Sequence, residues 1–257
     1  MTIIDTNLWV NAFDDNNKDA SYEARSTIID TLIGDGKVIL LGTVHDELQK
    51  FAESGKSSPK QKKRIEECLP FMRKLIQRDK NRVPDPEKIE NQERIFKKAY
   101  FIAKKAVEEP FSEEHKAARK FLDKYEKAEK TLSRNESITQ QSDYPKRVKK
   151  AQSLQHWISV EEDDKKRKGL RKELSNLIKG LPEFIPDFHI FEQANDTGAT
   201  IKTQDSDFSV MVKAAKELGL KHPKIQDVHA IRSEIDVKKF RARIEKEIDR
   251  LNPQKSI

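Results

Sequence analysis

The sequence predicts an α/β protein: a parallel sheet flanked by helices and interrupted by a long α-helical insertion. Three observations predict it. Short apolar runs alternate with helical stretches near both ends of the 257-residue chain. A long charged segment of helical period and few strand signals lies between them. Charge follows the same division: Lys56–Lys179 holds 34 Lys and Arg against 21 Asp and Glu, yet the whole chain is only +7, so the flanks are net acidic.

Thr2-Ile3-Ile4 reads as a first strand ending in Asp5-Thr6-Asn7. A helix is expected over Ala20–Ile33, with Ile28, Ile29, Leu32 and Ile33 on one face and Gly34 and Gly36 ending it. Lys37–Leu41 is a continuous apolar run of the kind a buried parallel strand shows. Thr43 offers an N-cap for a helix through Val44, Glu47, Leu48 and Phe51. From Gly55 to Gly180 the apolar residues keep helical spacing, with Ile89 to Val107 and Phe121 to Leu132 as two stripes. Ser133–Asp143 is polar and reads as a loop. Asp187 then suits the N-cap of a helix carrying Phe188, Ile190, Phe191 and Ala194. A strand follows over Ala199–Thr203, a helix over Ser209–Leu218, a short strand over Ile225–Val228 and an amphipathic helix over Val237–Leu251. The expected organisation is a core of 1–55 with 181–235, a basic helical insertion of 56–180 and a C-terminal helix of 236–257.

Composition narrows the class. Hydrophobic residues are 35% and charged residues 37%, which suits a compact core carrying partly buried charged helices. No apolar run is long enough to cross a bilayer and no signal segment opens the chain, so a soluble cytoplasmic protein is expected. One cysteine, Cys68, excludes an internal disulfide and a cysteine-rich zinc cage.

The chemistry concentrates in acids at strand ends. Asp5 follows the first strand, Glu47 lies shortly beyond the second, and Asp205 and Asp207 follow a later one that Asp187 precedes. Read singly, each is a cap or turn residue. Read together, they can converge at the carboxyl ends of parallel strands, where such sheets bind ligands. Crowded carboxylates call for a cation, and an oxygen-only set suits Mg²⁺ or Mn²⁺.

Ile3-Ile4-Asp5-Thr6-Asn7, Thr43 to Leu48, Asp187 with Ile190 and Ala194, and Thr200 to Phe208 together resemble the PIN-domain nucleases, in the large bacterial form with a long helical insertion. The resemblance covers about 1–55 and 181–230. It implies a PIN-like sheet and an acidic pocket of Asp5, Glu47, Asp187 and Asp205 serving as metal ligands, supported by Asn7, Thr203 and Asp207. It further implies Mg²⁺- or Mn²⁺-dependent hydrolysis of phosphodiester bonds, in RNA first and single-stranded DNA second. A toxin or defence role, held in check by a protein regulator or antitoxin, follows from the same resemblance.

The basic middle supplies candidate phosphate contacts in Lys60, Lys62, Lys63, Arg64, Lys146, Arg147, Lys149 and Lys150, and again in Lys165–Lys168. Tyr144 and Trp157 could stack on bases, but a core or packing role is the stronger reading for both. His45, His189, His222 and His229 have no zinc-ligand spacing. Three other readings compete: a non-catalytic scaffold or nucleic-acid-binding protein, a nuclease of single-stranded or flap DNA, and an aspartyl-phosphate phosphatase. The last is disfavoured because Asp5-Thr6-Asn7 lacks the second aspartate of that motif.

Overall fold

The computed structural model describes residues 1–14, 18–34, 38–53, 58–78, 85–108, 113–228 and 235–251. Two strands carry the first and last acidic motifs, β1 (Thr2–Ile4) and β4 (Thr200–Thr203), and they lie side by side in parallel, with Ile4 opposite Lys202. β2 (Val38–Leu41) pairs with the other edge of β1, and β5 (Lys224–Asp227) with the other edge of β4. β3 (Ile76–Arg78) pairs with β2, giving the parallel order β3-β2-β1-β4-β5. The chain therefore adds strands outward on one side of β1 and then restarts on its other side.

The expected PIN-like α/β class is corrected by the proportions of the chain. Strands are three or four residues long, whereas the described residues hold eleven helices of up to 27 residues, so the protein is mostly helical around a small parallel sheet. The physical reason is in the sequence: its β-forming runs are short, while the charged segment carries apolar residues at helical spacing throughout.

The chain forms two compact units. Unit 1 comprises Met1–Lys80, His189–Val212 and Lys221–Ile257. It holds the sheet together with α1 (Thr6–Ala12), α2 (Lys18–Gly34), α3 (Gly42–Glu53), α4 (Pro59–Leu75) and α11 (Val237–Leu251). Its division falls after Lys80 rather than after residue 55, so α4, β3 and the C-terminal helix belong with the sheet. α11 buries Phe240, Ile244 and Ile248, one face of its amphipathic pattern. Phe240 meets Phe13 edge-on at 5.5 Å, and Phe13 stacks on Phe71 of α4 at 5.9 Å. Arg25 of α2, 1% exposed, bonds three backbone carbonyls: Ala12 at 2.7 Å, Asp14 at 2.9 Å and Ile235 at 2.9 Å. It thereby ties the end of α1 and the segment before α11 to one guanidinium.

Unit 2 comprises Asn81–Phe188 and Lys213–Leu220. α5 (Pro86–Val107) packs on α6 (Glu113–Thr139) through Phe96 and Phe121, 5.9 Å apart, and Tyr100 and Tyr125, 4.6 Å apart. α7 (Tyr144–Val160) packs on α8 (Asp164–Ile178) around Val148, Ala151, Leu154, Leu174 and Leu181. The loop expected over Ser133–Asp143 is helix as far as Thr139. Asn135 explains part of this, because its amide donates to the Glu183 carbonyl at 2.8 Å and accepts from the Glu183 N–H at 3.0 Å. A long-range partner that sequence cannot show thus holds a polar stretch in helix.

α9 (Pro186–Thr197) and α10 (Asp207–Glu217) flank β4 in sequence. No helix among the described residues is long and apolar enough to cross a membrane.

Replacing Arg25 by leucine removes the donor to three carbonyls, that of Ala12 buried and the other two partly buried. It is expected to lower the unfolding free energy by about 3 kcal/mol in urea titrations, with Arg25→Lys recovering less than half because one ammonium cannot span the three acceptors. A wild-type midpoint in Arg25→Leu would contradict this.

Candidate functional site

The residues that converge come from the carboxyl ends of β1 and β4, where the strand order reverses. This is the place at which parallel sheets present ligand sites. Asp5 ends β1 and caps α1: its Oδ1 accepts from the Thr6 N–H at 2.7 Å. Its backbone N–H continues the ladder to the Lys202 carbonyl at 3.1 Å. Thr203 ends β4, and its Oγ1 donates to Asp5 Oδ2 at 2.8 Å while accepting from the Asp205 N–H at 2.8 Å. Asp205 in turn accepts from Asn7 Nδ2 at 3.0 Å and from the Asp207 N–H at 3.1 Å. One hydroxyl therefore links two acidic residues that lie 200 positions apart in the sequence.

All of this is enclosed. Asp5 and Asp205 are each 3% exposed, and Thr203 and Asp207 are fully buried. Like charges repel more strongly in such surroundings than in water. Backbone donors offset part of that repulsion, as do the N-terminal ends of α1 and α10 beside them.

The other expected ligands stand differently. Glu47 lies on α3, but its side chain is outside the described residues. Asp187 sits in the first turn of α9 rather than at its cap, and its buried carboxylate is ion-paired with Lys124 of α6 within unit 2. Among the described residues no group of three or more His, Cys, Asp or Glu side chains is placed to hold a metal ion. The pair Asp5 and Asp205 still suits Mg²⁺, which commonly binds through one or two carboxylates and completes its shell with water and phosphate oxygens.

Spacing on α1 carries a signal that the sequence reading missed. Asn7 and Asn11 are four residues apart and share a helix face. Asn7 reaches Asp205, while Asn11 reaches Gln204 Oε1 at 2.8 Å. Gln204 Nε2 then donates to Glu23 Oε2 at 3.0 Å and to the Ala20 carbonyl at 3.2 Å. The loop bearing Asp205 is thus fixed from α1 and α2 together.

Several basic candidates are structural. Arg64 pairs with Asp14 at 2.5 Å, Arg147 donates to the Gly180 carbonyl, and Arg167 binds the Glu161 carbonyl and Asp164. Lys60, Lys62, Lys63, Lys146, Lys149 and Lys150 are exposed, with Lys62 near Glu66 and Lys150 on Glu173. His45 Nε2 accepts from Arg73 at 3.1 Å, His189 is buried, and His222 Nδ1 lies 3.2 Å from the Pro223 carbonyl. His229 is outside the described residues. Tyr144 is a core residue whose hydroxyl pKa is raised by burial, whereas Trp157 is 59% exposed. Burial pushes the Cys68 thiol up to about 12.

Compared with protein families, curated proteins and solved structures, the chain matches none.

Two outcomes follow from this geometry. Thr203→Val leaves the Asp205 N–H and the Asp5 carboxylate each short of a partner, so it should cost about 1–3 kcal/mol of stability, and Thr203→Ser should recover most of it. Equal urea midpoints for the valine and serine variants would count against the bridge. Cys68 holds its proton in the folded state between pH 9 and about 12, where the unfolded chain releases it. The thiol's contribution to stability is complete below pH 9 and falls as pH rises to about 12. Iodoacetamide at pH 8 should therefore modify Cys68 only after unfolding, as read by mass spectrometry.

Proposed function

We propose that the protein is a metal-dependent nuclease hydrolysing phosphodiester bonds in RNA or single-stranded DNA at the Asp5–Thr203–Asp205 site. The observation that carries this reading is the single hydroxyl joining acids from β1 and β4 at the sheet's reversal point. The motif resemblance to PIN-domain nucleases supports it through the same residues, independently of overall fold class.

Asp5 and Asp205 would hold Mg²⁺ or Mn²⁺, which when bound polarises a phosphate and lowers the pKa of bound water. Thr203 keeps the Asp5 carboxylate in one rotamer through its hydrogen bond at 2.8 Å. Asn7 holds Asp205 from the α1 side, and the Asp207 N–H holds it from α10. Both acids are thus oriented before any ligand arrives, which removes an ordering cost from binding. Enclosure at 3% exposure strengthens every charge interaction made there.

A second reading, a nucleic-acid-binding scaffold without catalysis, is favoured by the pairing of Asp187 with Lys124, which engages one expected ligand internally. The two readings separate in one assay. Purified protein with 5′-labelled RNA and single-stranded DNA should yield cleavage with Mn²⁺ or Mg²⁺ and none with EDTA. Asp5→Asn and Asp205→Asn should reduce the rate to background, and Thr203→Ala should reduce it about 10–100-fold, as expected for a group orienting a metal ligand. Cleavage that persists in EDTA and in Asp5→Asn would overturn the metal-dependent reading, and intact substrate in every condition would favour the scaffold.

A further inference from the structure

α7 buries Tyr144, Val148, Ala151 and Leu154 and turns its opposite side to solvent. Lys146, Lys150, Ser153, Trp157 and Val160 follow one another there at alternating steps of four and three, the spacing of a single helix face. Lysines occupy one end, and an indole 59% exposed beside Val160 at 52% exposed occupies the other. Between Lys146 and Trp157 the helix rises about 16 Å. His156 lies beside Trp157, with ring centroids 5.8 Å apart and the rings inclined by 62°. Lys150 pairs with Glu173, but the two side chains are 60% and 48% exposed, so that pair yields easily to a competing anion. From Tyr144 to Lys179 the sequence holds eleven Lys and Arg against five Asp and Glu.

We infer that this face of α7 binds single-stranded nucleic acid, with a base stacked on Trp157 and backbone phosphates along Lys146, Lys149 and Lys150. An acidic protein segment would satisfy the lysines but would give an exposed indole at the end of the row nothing to do. A base and its phosphates engage both. The inference rests on the nuclease reading only in taking such a strand as substrate.

Trp9 is fully buried, so indole fluorescence that responds to an added ligand reports Trp157. The full chain is titrated in EDTA with oligouridylate, oligodeoxythymidylate and heparin. Both oligonucleotides should quench the indole and heparin should not, and the tighter of the two identifies the preferred strand. Trp157→Ala should weaken oligonucleotide binding, read by anisotropy, by about tenfold or more, the order of one lost base–aromatic stack, while Trp157→Phe keeps most of it. Lys146→Gln with Lys150→Gln should reduce the slope of log affinity against log salt by about 1.4. Equal oligonucleotide affinity for wild type and Trp157→Ala would overturn the proposal, as would equal quenching by heparin, which would point to an acidic protein partner. Lost oligonucleotide binding with retained cleavage rejects this surface alone, and retained binding without cleavage rejects the nuclease alone.

Discussion

The site depends on one hydrogen-bonded atom, the Thr203 hydroxyl, which donates to Asp5 and accepts from the Asp205 N–H. That contact exists because β1 and β4 pair in parallel with Ile4 opposite Lys202, bringing the next residue of each strand to the same end of the sheet. A slip of one residue would turn Thr203 to the other face and separate the acids. The buried Ile3, Ile4 and Ile201 fix that register by the area they remove from water. Core packing therefore sets the geometry of the candidate site.

Burying carboxylates is unfavourable unless donors surround them. Backbone N–H groups and the Asn7 amide donate to them here. The Asp187 carboxylate pairs with Lys124. At Arg25 three carbonyls receive the guanidinium and fix the chain around the first helices.

Much of the site could be read from the sequence because its residues are local to strand ends: Asp5 after Thr2–Ile4, and Thr203 and Asp205 after Thr200–Thr203. The bond between Asn11 and Gln204 was not legible, since it joins residues 193 apart. The fold class was misjudged for a related reason. Apolar runs announced the strands, but the helices outweigh them, and β3 lay hidden in Ile76–Arg78 at the end of a charged helix. The polar stretch at Ser133–Thr139 looked like a loop because its partner, Glu183, is 48 residues from Asn135. Arg64 and Arg147, alike in sequence to the exposed lysines near them, are fixed by Asp14 and by the Gly180 carbonyl. Charge runs do not announce which members are already engaged.

The central claim is that Asp5 and Asp205 together form a divalent-cation site. Its most direct test is a crystal structure of the protein soaked in Mn²⁺, with data collected for anomalous scattering. The account predicts a peak about 2.0–2.2 Å from oxygens of both carboxylates. A well-ordered Asp5–Thr203–Asp205 bridge with no anomalous peak beside it, under conditions where Mn²⁺ binds elsewhere, would contradict it.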